Sequence, residues 1–419
     1  VSFVIEWLAF PLAVAGVALI PKSGMSDKKK IENIFKNTRY GIPGKSEEEP
    51  IKTPTFKFKK KLFDGDKEIG VNYHFSVPLG LPATKMKKVE KEINVFSDGL
   101  GKPVEVEFKK GLLQIKVYNE ELPELFPYAD LPHKSNKWLV PIGKSVEGLI
   151  WHNFDHTPHM TVAGTTRFGK TVYLRMMMTY LIENHPNDVE FYIIDLKGGL
   201  EFGRYEHLEQ VKKVASNPME AADLLEKLHE EYQELYKEFR QKNISNVVDT
   251  NIKKRRFIIV DEAAQLAPEK WMSREMKSLL GMCQYFLGEI ARVTGALSYR
   301  LIFATQYPTS DTLPRSIKQN SDAKITFRLP SGYASEVAID DRGAEELPSD
   351  IKGRALFKTH ELKELQVPFI SHDEMWERLE KYQQPQVLEV KPDHVVEHRE
   401  EKKETREDLV KFGKDGIRH

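Results

Sequence analysis

The segment Gly164-Thr-Thr-Arg-Phe-Gly169-Lys170-Thr171 constrains this chain more than any other feature. Two glycines enclose four residues, and a lysine and a hydroxyl residue follow at once, which is the P-loop pattern. Each position has a chemical reason. The glycines let the backbone turn tightly and aim its N–H groups at phosphate oxygens. Lys170 reaches the β- and γ-phosphates, and the Thr171 hydroxyl ligates magnesium. A bare match of this kind can be an ordinary glycine turn, so its flanks decide. His159–Ala163 ahead of it is strand-like, and Val172–Ile182 behind it is helix-like. The phosphates would then sit at a helix N-terminus, where backbone dipoles favour anions. Gly164, Thr165, Thr166, Arg167, Phe168, Gly169, Lys170 and Thr171 are therefore the expected nucleotide-binding residues, with ATP and Mg2+ as cofactors.

A second segment supports the first. Phe257-Ile-Ile-Val-Asp261-Glu262 is an apolar run ending in two acids. In a parallel sheet such a strand is buried, and its carboxyl end opens at the active site. Asp261 is expected to hold the magnesium ion, and Glu262 to act as general base on the attacking water. The plainer reading, a surface acidic pair after a core strand, loses weight beside the P-loop upstream. Arg300-Leu-Ile-Phe-Ala-Thr-Gln306 is another apolar strand with a polar end. Gln306 there is either a γ-phosphate sensor or a satisfied strand terminus, and spacing leaves both open. Asn217-Pro218-Met-Glu220 carries the cap, first-turn proline and capping-box glutamate of a helix start. Leu224, Leu225, Leu228, Tyr232 and Leu235 continue it at helical spacing, as core packing. From 136 to 372 strand and helix signals alternate, the pattern of an α/β fold with a parallel-rich sheet.

The rest of the chain is read from composition. VSFVIEWLAFPLAVAGVALI opens it, almost entirely apolar, and Lys22, Lys28, Lys29 and Lys30 follow. Roughly 20 apolar residues span a bilayer core. Residues 1–21 are thus expected to be a transmembrane anchor, with the body in the cytoplasm by the positive-inside rule. Glu6 and Pro11 speak against it, and a signal peptide or buried helix is the alternative. Residues 22–50 read as a linker. Residues 51–135 read as a small α+β adaptor domain, with strands at Phe56–Phe63, Val71–Val77, Val104–Phe108 and Leu112–Val117 and a helical run over Ala83–Phe96. Residues 373–419 are highly charged and read as a solvated tail or a single exposed helix rather than a domain. Lysines and arginines number 63, aspartates and glutamates 63. That balance excludes a globally basic surface but not a local basic lining. The single cysteine, Cys283, excludes a disulfide framework within one chain and reads as a small buried residue.

These motifs resemble the FtsK/SpoIIIE family. Pro141-Ile-Gly-Lys144, the P-loop, Ile194-Asp-Leu-Lys-Gly-Gly-Leu-Glu-Phe202, Ile290-Ala-Arg292, Ala304-Thr-Gln306, Ile317-Lys318-Gln-Asn320, Phe327-Arg328 and Gly343-Ala-Glu345 follow in that family's order. The resemblance implies a RecA-like ATPase motor over 136–372. It implies a homohexameric ring around double-stranded DNA, with ATP sites between subunits. Arg292 matches the family's arginine finger, with Arg300 and Arg328 as alternatives. Lys318 matches a DNA-contacting pore residue. Arg167-Phe168 replaces the Gly-Ser usual in chromosomal members, and Tyr307 and Glu336 stand where those members carry basic residues. The variant motifs look more like the FtsK-like coupling proteins of Gram-positive conjugative elements. The implied partners are DNA, the membrane, the relaxosome and conjugation channel proteins. Competing readings are a type VII-like protein secretion ATPase and a non-translocating ATPase adaptor.

Overall fold

The computed structural model describes residues 24–44, 49–82, 84, 93–132 and 137–384. The expected anchor at 1–21 lies outside them, as does most of the expected helix at 83–96. Among the described residues no helix is long and apolar enough to cross a membrane.

The N-terminal part is a four-stranded antiparallel sheet with two helices on one face. Helix α1 (Asp27–Asn37) precedes β1 (Thr55–Asp64) and β2 (Lys67–Ser76). Then come α2 (Ile93–Leu100), β3 (Val104–Lys109) and β4 (Leu112–Tyr118), in the sheet order β1-β2-β4-β3. The strands alternate buried and half-buried residues, as expected when one face is packed. That face buries Phe75, Leu113 and Ile115 against Ile31 and Phe35 of α1. The expected linker at 22–50 is therefore corrected. Ile31 and Phe35, a helical turn apart, make α1 part of the small domain's core.

The region expected to be the motor is built on a ten-stranded sheet. Its first elements are β5 (Phe126–Pro127), β6 (Leu139–Ser145), β7 (Gly148–Asn153), β8 (Met160–Ala163), α3 (Lys170–Asn184), β9 (Val189–Ile194) and β10 (Val211–Ala215). Then follow α4 (Pro218–Gln241), β11 (Arg255–Val260), α5 (Arg274–Val293), β12 (Tyr299–Thr305), α6 (Arg315–Asn320) and β13 (Ala323–Phe327). The chain continues through α7 (Gly332–Ile339), β14 (Arg354–Lys358), β15 (Leu362–Gln366), β16 (Pro368–Phe369) and α8 (His372–Leu379). The sheet order is β10-β9-β11-β12-β8-β13-β14-β15-β6-β7. The six strands from β10 to β13 are parallel, and the four from β14 to β7 are antiparallel. All of β12 is buried, as a strand covered on both faces must be. Helix α3 packs on one face with one core cluster, while α4 and α5 cover the other.

Two expected boundaries move. Phe126, Tyr128 and Leu131 belong to the core under the large sheet, so the unit built on that sheet starts before 136. Met375 and Leu379 of α8 are fully buried in the same core, so the charged tail does not begin at 373. Cys283 is buried, and burial pushes its thiol up to about 11.

Candidate nucleotide site

The P-loop joins the end of β8 to the start of α3, at the carboxyl edge of the parallel strands. Its backbone is pinned on three sides. Gly164 N–H donates to the Thr305 carbonyl at 3.2 Å. Thr165 donates to the Arg328 carbonyl through both its N–H (3.3 Å) and its hydroxyl (3.0 Å). Gly353 N–H donates to the Phe168 carbonyl at 3.0 Å. Gly169 has φ +120, and a Cβ there would lie 3.1 Å from Gly353 Cα and from the Phe327 ring. Glycine is thus required. Arg167 also takes a left-handed φ of +74, which costs a side chain about 1–2 kcal/mol.

Lys170 is nearly buried and donates to the Asp261 carbonyl (2.6 Å) and to Asp261 Oδ1 (2.8 Å). Lys197, in the turn after β9, lies 3.5 Å from Asp261 Oδ2 and 3.7 Å from Glu262 Oε2. Asp195 shapes that turn by accepting the N–H groups of Lys197, Glu201 and Phe202. Glu262 Oε1 accepts from Gln306 N–H (3.1 Å) and the Thr305 hydroxyl (3.3 Å). Its Oε2 is buried without a hydrogen-bond partner. Gln306 Oε1 accepts from the Thr166 hydroxyl at 3.1 Å, so Gln306 joins the P-loop to the strand that carries Glu262's neighbours.

A cleft of about 750 Å3 opens over the P-loop, Lys197 and Gln306. Thr165, Thr166, Gly169, Lys170, Thr171 and Gln306 line its polar side, while Leu125, Ile351, Val367 and Phe369 form an apolar wall. The volume suits a nucleotide-sized ligand. A hydroxyl at Thr171 and a carboxylate at Asp261 are hard oxygen donors, the set that Mg2+ takes together with phosphate oxygens. Lys197 and the apolar wall are parts of the site that the sequence motifs alone do not single out. Asp-x-Lys at the end of an apolar strand is a readable signal for Lys197. The wall comes from distant segments and leaves none.

The FtsK/SpoIIIE sequence profile matches residues 128–341. This chain belongs to the FtsK/SpoIIIE family. Over 293 residues it is 31% identical to the DNA translocase FtsK of Streptococcus agalactiae, covering 64% of this chain and 34% of that one. It thus spans about a third of that relative's length. Among solved structures it is similar to the pCW3 conjugation coupling protein TcpA in its monomer form with ATPγS. That likeness has a TM-score of 0.59 at 23% identity and covers 85% of this chain and 99% of that one. It is also similar to the cytoplasmic domain of the Thermomonospora curvata type VII secretion ATPase EccC, with a TM-score of 0.50 at 21% identity over 64% and 33% of the two chains. The shared fold is the P-loop ATPase fold of FtsK/SpoIIIE proteins.

Arg292, expected as the finger, and its alternatives Arg300 and Arg328 differ in freedom. Arg300 is fully buried, bound to Asp155 at 2.7 Å and to the Leu297 and Tyr299 carbonyls. Burial lowers its pKa to about 10 against the pull of Asp155. Arg328 donates to the Leu347 carbonyl. Arg292 is exposed at the end of α5 and touches Glu289. It sits just before β12 begins, whereas Ala163 and the P-loop meet Thr305 at that strand's far end. The seven residues of β12 separate them by about 20 Å. Lys318 is not a free cation: its side chain is 19% exposed and pairs with Asp340 at 2.6 Å and the Glu336 carbonyl at 3.2 Å.

Proposed function

We propose that this chain is an ATP-hydrolysing translocase that drives double-stranded DNA through a homohexameric ring. It would be held at the cell membrane by residues 1–21 and act as a coupling protein in conjugative DNA transfer. Relaxosome and channel proteins would be its partners. The observation that carries the ATPase reading is Glu262: a buried carboxylate beside the P-loop, with one oxygen held by Gln306 N–H and the other free of hydrogen bonds. The free oxygen can take a proton from an attacking water, while the held oxygen fixes the carboxylate's direction. Lys170 would exchange Asp261 for phosphate oxygens when a nucleotide enters. Thr171 and Asp261 would hold Mg2+, which neutralises phosphate charge when bound. Gln306, between Thr166 and Glu262, can relay the presence of the γ-phosphate to the base. Arg292 lies too far from its own P-loop to serve it, which suits action on a neighbouring subunit's phosphates. The family's DNA translocases and the coupling protein TcpA support DNA as the cargo.

A second reading, a protein-secretion ATPase or a non-translocating adaptor, draws on the pore positions. Tyr307 is exposed, Glu336 pairs with Arg342 and Lys318 pairs with Asp340. ATP hydrolysis by the full chain in detergent, with and without duplex DNA, separates the two. Several-fold stimulation by DNA is expected, and a rate indifferent to DNA would favour the second reading.

A further inference from the structure

Among the described residues the small antiparallel sheet ends in two edges without a further strand, β1 and β3, and they are unlike. On the β3 edge the charges are matched: Glu105 meets Lys116 at 3.1 Å, and Glu107 meets Lys109 at 3.2 Å. The β1 edge reads Thr55-Phe-Lys-Phe-Lys-Lys-Lys-Leu-Phe-Asp64. Lys57, Lys59, Lys60 and Lys61 are all exposed, and of these only Lys61 has an ion pair among the described residues, with Glu68. Phe58 and Phe63 are exposed beside them, at 41% and 56%. Lysines on a free edge can serve only to prevent edge-to-edge pairing. Two exposed phenylalanines work against that purpose, and the β3 edge manages without a lysine-only strip.

The register places these cations on both sides of the edge. Lys60 and Phe58 lie opposite Asn72 and His74, while Lys59 and Lys61 lie opposite Tyr73 and Val71 on the other face. Between the two rows run the backbone N–H and C=O groups that an edge strand leaves unpaired. A phosphate chain laid along β1 would meet ammonium groups above and below it and N–H donors between. Phe58 supplies a further element. Its ring stacks on His74, with centroids 4.3 Å apart and planes at 21°. His74 is buried, and burial together with the charge of Lys60 lowers its pKa, so it is a neutral shelf. Phe58 is thereby held flat, with Lys60 5.6 Å from its centroid.

We propose that the β1 edge is a binding site for single-stranded nucleic acid, with bases stacked on Phe58 and phosphates held by Lys57, Lys59 and Lys60. Unpaired bases offer faces for stacking, and a basic track with aromatic platforms is how sequence-tolerant single-strand binders work. Duplex DNA keeps its bases stacked on one another and can use only the lysines. An anionic membrane surface would also attract lysines, but it takes aromatic side chains that project into it rather than rings laid flat on a shelf. The site stands apart from the nucleotide cleft. It rests on the translocase reading only in that a DNA-handling motor supplies the ligand.

The test uses the full chain in detergent without nucleotide, a fluorescein-labelled oligo-dT 20-mer and fluorescence anisotropy. Phe58→Ala should weaken oligo-dT binding about five- to hundredfold, the usual loss for one stacked base. Binding of a blunt duplex of equal length should stay within twofold. The triple variant K57Q/K59Q/K60Q should weaken oligo-dT binding at least tenfold. It should also reduce the slope of log affinity against log salt by about 2, near 0.7 for each phosphate that a lysine no longer neutralises. Both variants should melt at the wild-type temperature and keep wild-type duplex-stimulated ATPase activity. Unchanged oligo-dT affinity in the triple variant would overturn the site. Equal losses for oligo-dT and duplex in Phe58→Ala would overturn the single-strand assignment. Loss of binding to vesicles with 30% anionic lipid, with oligo-dT binding intact, would assign the edge to a membrane surface instead. Absence of any DNA-stimulated ATPase alongside variant-sensitive oligo-dT binding would remove the translocase reading and leave this site standing.

Discussion

The two ends of the parallel sheet both hold buried charge, and they use it differently. At the end where β11 and β12 begin, Asp155 takes Arg255 at 2.7 and 3.1 Å and Arg300 at 2.7 Å. Arg255 Nη1 also donates to the carbonyls of Ile252, Lys253 and Lys254. Burial alone would raise the Asp155 pKa, but the two guanidiniums outweigh it and hold the carboxyl below its usual range. Next to them burial lowers His159 to about 3 and His152 to about 4, so both rings stay neutral. Most donors there are matched, with Arg300 Nε and His159 Nε2 the exceptions. At the end where the same strands finish, two lysines share Asp261, and Glu262 keeps an oxygen without a hydrogen bond. Charge whose hydrogen-bonding capacity is used up holds elements together. Charge with capacity to spare can exchange partners, as a catalytic site must.

Substitutions at each end test that distinction. The largest effect is expected from Arg292, which lies at the beginning end but, unlike Arg300, is exposed. Arg292→Ala should lower ATP turnover by about 10³-fold or more with ATP binding retained, the range for a finger acting in trans. Mixed rings of Arg292→Ala and Glu262→Gln subunits should regain activity. No recovery on mixing, once mass measurement has established the ring, would reassign the finger. Glu262→Gln alone should cut turnover by about 10²- to 10⁴-fold while still binding ATP. Near-normal turnover would remove Glu262 as the base.

Asp155→Ala should act on stability instead, by about 3–5 kcal/mol, because it leaves two buried guanidiniums without their carboxylate. Chemical denaturation measures it. An unchanged unfolding midpoint with lost turnover would erase the difference between the two ends. A smaller, pH-dependent effect is expected at Glu147, which joins Lys116 of the small sheet to Lys363 of the ten-stranded sheet. Burial would raise its pKa, but the two lysines bring it down from 4.5 to about 2. A depressed carboxylate stabilises the fold above its unfolded value, and that contribution is lost as pH falls from 4.5 toward 2. Melting curves should therefore show a smaller acid-induced loss in Glu147→Gln than in wild type. The smallest effect belongs to Lys318→Ala. Its pair with the exposed Asp340 is worth at most about 1 kcal/mol, so the melting temperature should barely move. A strong fall in DNA-stimulated turnover in that variant would mean that Lys318 leaves Asp340 to meet DNA.

Much of the nucleotide site is legible in the sequence because its signals are local. The P-loop, the strand ending in Asp261-Glu262 and the Asn217 cap each lie within one short segment. The Asn217 side chain accepts Glu220 N–H at 3.0 Å, and the Glu220 carboxylate accepts Ser216 N–H at 2.7 Å, one residue before the N–H of Asn217 that a capping box takes. What stays hidden depends on pairings distant in sequence. The α1 helix lies in a run dominated by lysine, where Ile31 and Phe35 are the main apolar marks. Nothing near Lys318 announces that Asp340 will claim it. The apolar wall of the cleft joins Leu125 to Phe369, and only the pairing of β5 with β16 brings them together. The order of the antiparallel strands is equally invisible, since alternation along a strand fixes its buried face but not its neighbour.

That antiparallel half gives the P-loop a mechanical connection. Gly353 donates to the Phe168 carbonyl and accepts from Val367 N–H, so one residue clasps the loop to the strands beyond. At φ +82, with Gln366 Nε2 2.8 Å from where a Cβ would stand, only glycine fits. From there β15 touches β6, and Glu147 in the turn between β6 and β7 holds Lys116. The links at Gly353 are backbone to backbone, so the loop is joined to these strands without an intervening side chain. A continuous chain of backbone bonds, strand pairing and ion pairs thus runs from the phosphate loop to the small domain, with Glu147 at its far end.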